Sequence, residues 1–258
     1  MHPLHETVSS VQSSVSSALP QTPVARLSYR PPMESHLDNV FWKALSGPQL
    51  RFSMGSARAR RYAPGLSPIF AFADLEHPDF DGLAPHCPIG EHFYTADWRG
   101  PVPRDWQLVA EATMHRMVWR GDAMPDDLLP EATRLGPEHA QQAVELAALT
   151  RPGPFGPRTL ELGDYFGVVD DGRLVAMAGE RSTAGTFREV SGVCTHPDFQ
   201  GRGLARKLMD KLARRQLMRR ETPFLHVMCS NEAAHALYLR MGFRDHLDPV
   251  VVRVLSRS

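Results

Sequence analysis

The segment best equipped for chemistry runs from Val193 to Ala205 (VCTHPDFQGRGLA). An extended stretch ends at Pro197, and Gly201 and Gly203 follow, residues that let a backbone turn tightly with no Cβ in the way. Helical spacing then begins with Leu204, Leu208 and Leu212. The first amides of a helix lack partners within it and point along its axis, so this turn offers donors to an anion such as phosphate. The helix carries Arg202, Arg206, Lys207, Lys211, Arg214, Arg215, Arg219 and Arg220 against Asp210 alone, a face expected to be mainly solvated. Two glycines after a strand also describe a plain tight turn. The dinucleotide spelling GxGxxG is absent because Arg206 stands in the third glycine's place, and no GxxxxGK[ST] occurs. Nicotinamide and nucleoside-triphosphate sites are therefore disfavoured.

Other reactive side chains are sparser. His226, in the strand-like run Phe224–Cys229, has an ordinary pKa of ~6.5 suited to proton transfer near neutrality. The cysteines Cys87, Cys194 and Cys229 are odd in number and lack CxxC spacing, so neither a disulfide framework nor a zinc knuckle is expected, and a reducing cytoplasm fits. No histidine sits in an HxxxH pair on a helix, and no metal is expected.

These groups need a scaffold, and 258 residues with 42% hydrophobic content can build one large domain or two modest ones, two being the better expectation. The formal net charge of +0 argues against nucleic acid or an anionic membrane as partner. No apolar run reaches the ~18 residues of a membrane span, and no signal-like segment opens the chain. Residues 1–35, Ser-rich and then Pro-rich, read as a mobile tail. Residues 36–120 read as a small α/β domain: a helix over Val40–Leu45 capped by Asp38 or Asn39, then strands at Ile69–Ala73, His92–Thr95 and Trp106–Ala112. Residues 121–130, with two prolines and three aspartates, read as a linker. Residues 131–258 follow the order β-α-β-β-β-α-β-α-β-β: a strand at Glu131–Gly136, a helix at Pro137–Leu149, a hairpin turning at Asp171-Gly172, and a strand at Arg188–Thr195. The basic helix, the strand Phe224–Cys229, a helix from Asn231 and two closing strands complete it.

Two motifs carry a family resemblance. Gln200-Gly201-Arg202-Gly203-Leu204-Ala205 resembles the (Gln/Arg)-x-x-Gly-x-(Gly/Ala) pyrophosphate loop of the GNAT acyltransferase superfamily. Ser230–Phe243 (SNEAAHALYLRMGF) resembles its Asn-x-x-Ala-x-x-Leu-Tyr-x-x-x-Gly-Phe element. The spelling VCTHPDFQGRGLA plus PFLHV points to a subgroup in which a degenerate GNAT-like half precedes the active one. The resemblance implies a mixed, mostly antiparallel sheet flanked by helices. It implies acetyl-CoA as co-substrate, bound by the loop from Gln200 to Ala205, with the pantetheine arm on the backbone of Val193 and Thr195. A backbone amide near Cys194 would hold the oxyanion, Asn231 would bond the pantetheine, and Tyr238 would protonate the departing thiolate. The base is implied less directly: His226 stands where one branch has a glutamate, Glu189 is the nearest candidate for another branch, and Glu180 comes third. No histidine–cysteine pair supports a covalent acyl-enzyme, so Cys194 reads as a small sheet residue.

The expected protein is thus a cytoplasmic N-acyltransferase, a monomer or homodimer, acting on an amine of a small molecule, amino acid or peptide in a ternary complex. Its rivals are a non-catalytic acyl-CoA sensor and an RNA-associated protein using the basic helix. The second would want exposed aromatics among the cations, and Arg206–Arg220 has none.

Overall fold

The computed structural model describes residues 34–258, so the expectation of a mobile tail over residues 1–35 falls almost wholly outside it. Helical spacing of Val40, Phe41, Ala44 and Leu45 produces α1 (Val40–Ser46), with all four side chains buried. Asn39 holds the N-cap position, but its side chain makes no capping bond. Asn39 takes a left-handed conformation at φ 50° and its Nδ2 donates to the Phe72 carbonyl at 2.7 Å, so the residue ties the helix to a strand instead. A three-stranded antiparallel sheet follows, made of β1 (Ser53–Gly55), β2 (Ala59–Tyr62) and β3 (Phe70–Phe72). The short α2 (Phe80–Leu83) closes an aromatic cluster in which Phe70, Phe72, Phe80, Trp98 and Trp106 meet mostly edge to face.

The second sheet holds nine strands among the described residues. They are β4 (His92–Ala96), β5 (Trp106–Trp119), β6 (Thr133–Arg134), β7 (Tyr165–Asp170), β8 (Arg173–Ala184), β9 (Phe187–Thr195), β10 (Thr222–Met228), β11 (Phe243–Asp245) and β12 (Val250–Arg257). The order is β4-β12-β5-β10-β9-β8-β7-β6, with β11 beside the end of β5. All neighbours are antiparallel except β9 and β10. Helices α3 (Ala140–Thr150), α4 (Leu204–Met218) and α5 (Glu232–Arg240) complete the expected order from residue 131 onward. The hairpin turns at Asp171-Gly172 as the Asp-Gly signal requires, both residues having positive φ. Of the expected strand Glu131–Gly136, Thr133–Arg134 form β6, and the Leu135 amide donates to the Tyr165 carbonyl at 2.8 Å.

The two-domain division does not survive. β5, from the expected N-terminal domain, lies between β10 and β12 and bonds to both, so one sheet runs through both halves, and residues 34–258 belong to one compact unit. Residues 121–130 connect strands rather than domains, and Lys211 of α4 pins them by bonding Asp127 at 2.7 Å and the Leu129 carbonyl at 2.9 Å. Helix α1, with Phe187, Val118 and Phe224, covers one face of the sheet, and Leu208, Met209 and Leu212 of α4 cover the other. Full burial of such a side chain contributes ~1.5–3 kcal/mol. The cations of α4 are less solvated than expected: Arg215 and Arg219 pair with Asp164, and Arg219 also reaches Glu180.

Candidate active site

β9 and β10 are paired only over Phe187–Glu189 and Thr222–Phe224. Beyond those residues they separate, and the β10-facing edge of β9 is left open. Strand alternation decides which groups lie on that edge. The His196 amide bonds the Val175 carbonyl on the β8 side at 2.7 Å, and Cys194 is opposite Met177 in the same register. Two-residue periodicity therefore turns the N–H of Cys194 toward β8 and those of Val193 and Thr195 toward the open edge. Of the backbone amides near Cys194, that of Val193 is turned to the open edge, and Val193 also lines the cavity beside it. The Cys194 side chain is buried against α3, and burial pushes its thiol pKa up to about 11, which makes it a poor nucleophile.

At the outer end of the open edge lies the turn into α4. Gly201 and Gly203 have φ of 77° and 72°, and a Cβ added to either would meet nothing within 4 Å, so both face open space. The N-terminus of α4 has no side-chain cap and no acidic residue in its first turn, which leaves its amides and positive dipole end to a ligand. A groove of about 830 Å³ is lined by Val193, Cys194, Thr195, Gln200, Gly201, Gly203, Leu204, Ala205 and Asn231, together with Tyr238. Arg202 is not among its lining: its guanidinium is turned back over the Phe199 ring, 4.6 Å from the centroid. The Thr195 hydroxyl is buried with no hydrogen-bond partner among the described residues. Capless amides, glycines facing open space and an orphaned hydroxyl suit a coenzyme whose pyrophosphate sits on the turn and whose amide-bearing arm runs along β9.

The inner end of the same splay opens into a second cavity of about 270 Å³. Val193, Asn231 and Tyr238 line both spaces, so the two meet there. Asn231 caps α5 by accepting from the Ala234 amide at 3.2 Å. Burial raises the Tyr238 phenol pKa, which keeps its proton in place at neutral pH.

A chain of charged groups forms the floor of this cavity. Glu189 is fully buried and accepts from Arg181 at 2.7 and 3.0 Å, from the Ser182 amide at 3.2 Å and from His226 Nδ1 at 2.8 Å. The Arg116 Nε donates to His226 Nε2 at 3.0 Å, and Arg116 also bonds Asp97 at 2.8 Å. A guanidinium can only donate, so Nε2 bears the lone pair and His226 is the neutral Nδ1–H tautomer. Burial, only partly opposed by Glu189, lowers the His226 pKa. The Glu189 pKa falls far below the usual carboxylate range because Arg181 and the His226 hydrogen bond outweigh its desolvation.

These facts revise the expected base. Both ring nitrogens of His226 and all the acceptor positions of Glu189 are engaged, so neither is poised to take a proton from an amine. Glu180 lies apart, bound to Gln216 and Arg219 beneath α4. Sequence reasoning did not single out Arg181 and Arg116. Arg181 stands between Glu180 and Ser182, and Arg116 follows His115, so in the sequence both look like ordinary polar positions and nothing local marks them as buried.

The sequence profile of the acetyltransferase (GNAT) family matches residues 131–243. A GNAT-family protein from Novosphingobium aromaticivorans is 35% identical and superposes with a TM-score of 0.78 over 86% of this chain and 99% of its own. The chain therefore belongs to the GNAT acetyltransferase family. A GCN5-related N-acetyltransferase from Kribbella flavida, 15% identical, has the same fold with a TM-score of 0.55 over 86% of this chain and 95% of that one. A GCN5-related N-acetyltransferase-like protein from Streptococcus suis, 16% identical, does so with a TM-score of 0.51 over 88% and 96%. No protein of curated function matches the sequence.

Proposed function

We propose that this protein transfers an acetyl group from acetyl-CoA to the amine of a small molecule, amino acid or peptide, by direct attack in a ternary complex. One observation carries the reading: the open β9 edge lies between an uncapped helix N-terminus and the half-buried Tyr238, and a separate cavity opens onto the same point. With the thioester on that edge, the amine nitrogen attacks its carbonyl carbon from the 270 Å³ cavity and the C–N bond forms. The Val193 amide holds the oxyanion. As the C–S bond breaks, the Tyr238 hydroxyl gives its proton to the thiolate. The amine proton leaves through water in the cavity. Glu189, held ionised, neutralises the Arg181 guanidinium in the cavity lining, so the amine is not met by an unpaired positive charge. The three cysteines are free thiols, which accords with the cytoplasm as the place of action.

The test is release of free thiol from acetyl-CoA against a panel of amines and peptides, beside a thermal-shift titration with CoA. Turnover with an acceptor and a CoA-dependent rise in Tm are expected. Absence of any shift with CoA would refute coenzyme binding. A shift with no acceptor turned over across the panel would favour a protein that only holds acyl-CoA.

A further inference from the structure

On the surface beside α5, three side chains from distant parts of the chain converge. His115 of β5, His235 of α5 and Asp245 of β11 bring one ligand atom each within 4.8 Å of the others. His235 Nε2 lies 2.9 and 3.1 Å from the two Asp245 oxygens, and His115 Nδ1 lies 3.4 Å from Oδ1. The two imidazoles are stacked, with centroids 4.2 Å apart and planes 21° from parallel.

We propose that His115, His235 and Asp245 form a binding site for a divalent transition-metal ion of the zinc type. The donor set decides the class. Two imidazoles and a carboxylate suit Zn²⁺ and its neighbours, whereas Mg²⁺ and Ca²⁺ prefer all-oxygen shells. The spacing agrees with it. Bonds of ~2.0–2.1 Å in a tetrahedron place ligand atoms roughly 3.3 Å apart. The 2.9 and 3.4 Å separations from Asp245 bracket that value, and the two histidine nitrogens, within 4.8 Å of each other, need only close on the ion. The site is also open: the side chains are 22, 22 and 39% exposed, which gives the ion an entry path and leaves a fourth position to water.

The backbone arrangement says what an ion would do. His235 stands on the helix that carries Tyr238, and its amide bonds the carbonyl of Asn231. His115 and Asp245 belong to two strands of the sheet. A bound ion would tie α5 to the sheet at one turn's distance from the tyrosine. Without the ion, that tie is a single histidine–aspartate contact and a ring stack.

The experiment uses the untagged full chain, stripped with a chelator and titrated with Zn²⁺ by calorimetry, with Co²⁺ as the spectroscopic probe. His115→Ala, His235→Gln and Asp245→Asn are measured beside it, with circular dichroism to confirm folding. Expected are one equivalent of Zn²⁺ bound, visible bands of tetrahedral Co²⁺ and a zinc-dependent rise in Tm, all lost in each folded variant. His2 and His5 are kept throughout, so binding by the N-terminal segment survives the substitutions. Unchanged stoichiometry in the variants, or no zinc uptake by the parent chain, overturns the proposal. A variant that fails to fold is replaced by another of the three.

Discussion

A single proton on one ring governs how the buried floor of the cavity behaves. His226 is neutral in the folded protein with its pKa lowered from 6.5 by burial, while in the unfolded chain it takes a proton below that value. The unfolded state therefore binds more protons as pH falls, and folding stability decreases from pH 6.5 downward. Glu189, with its pKa depressed from 4.5, adds to the loss only below about that pH. His226→Gln, whose amide can accept from Arg116 and donate to Glu189, should flatten the stability curve between these two pH values and leave the steeper acid limb. Chemical denaturation from about pH 2.5 to 8 reads both limbs, and an unchanged upper slope would contradict the neutral assignment. Arg181→Met leaves the fully buried Glu189 without its bidentate partner, and removal of one member of a buried pair costs ~3–5 kcal/mol. A loss under 1 kcal/mol in urea unfolding would mean that water or another cation takes over. For Tyr238→Phe the expectation is a fall in kcat of ~10²-fold or more with KM for acetyl-CoA little changed, since the hydroxyl acts on the leaving group. Steady-state kinetics with a reactive acceptor decides it.

At the scale of elements, the turn into α4 was legible because its chemistry is local. Gly201, Gly203 and the leucines after them lie within a dozen residues, and each requirement for an anion-binding helix start is met by residue type alone. The same holds for α5, whose Asn231 cap and Tyr238 fall within one short motif. Gly203→Ala tests the turn. At φ 72° a Cβ costs ~1–2 kcal/mol, and the methyl is added to a residue that lines the groove, where nothing lies within 4 Å. Lower Tm and weaker CoA affinity by calorimetry are expected together. A lower Tm with unchanged affinity would separate the turn from coenzyme binding. What local spacing did not reveal was facing. Glu189 and His226 stand on different strands, and only the parallel pairing of β9 with β10 brings Glu189 beside Phe224, two residues from His226. That proximity turns two apparent bases into a locked pair, and the third member of the arrangement, Arg116, comes from a strand read as part of another domain.

The whole molecule explains why that strand was misplaced. Trp106–Ala112 reads as a short strand, but β5 continues to Trp119, and its last residues bury Met114, Arg116, Met117 and Val118. Its partners, β10 and β12, are about a hundred or more residues further on, so no window of sequence contains the pairing. The prolines and aspartates of residues 121–130 look the same whether a connection joins two domains or crosses one sheet. A chain beginning at Gly121 separates the two cases. It keeps every motif of the coenzyme site yet lacks β4 and β5, so β12 loses the neighbours on both its edges and β10 keeps only the short parallel register with β9. His226 loses Arg116, and the face covered by α1 is laid open. Unpaired edges and exposed apolar surface together favour association over folding. Such a chain should show no cooperative thermal transition and should elute as aggregate, and supplying residues 34–120 as a second polypeptide should restore a soluble complex that shifts with CoA. If the shorter chain melts cooperatively by itself and binds CoA, the first half is an appendage and the cavity floor is built without it.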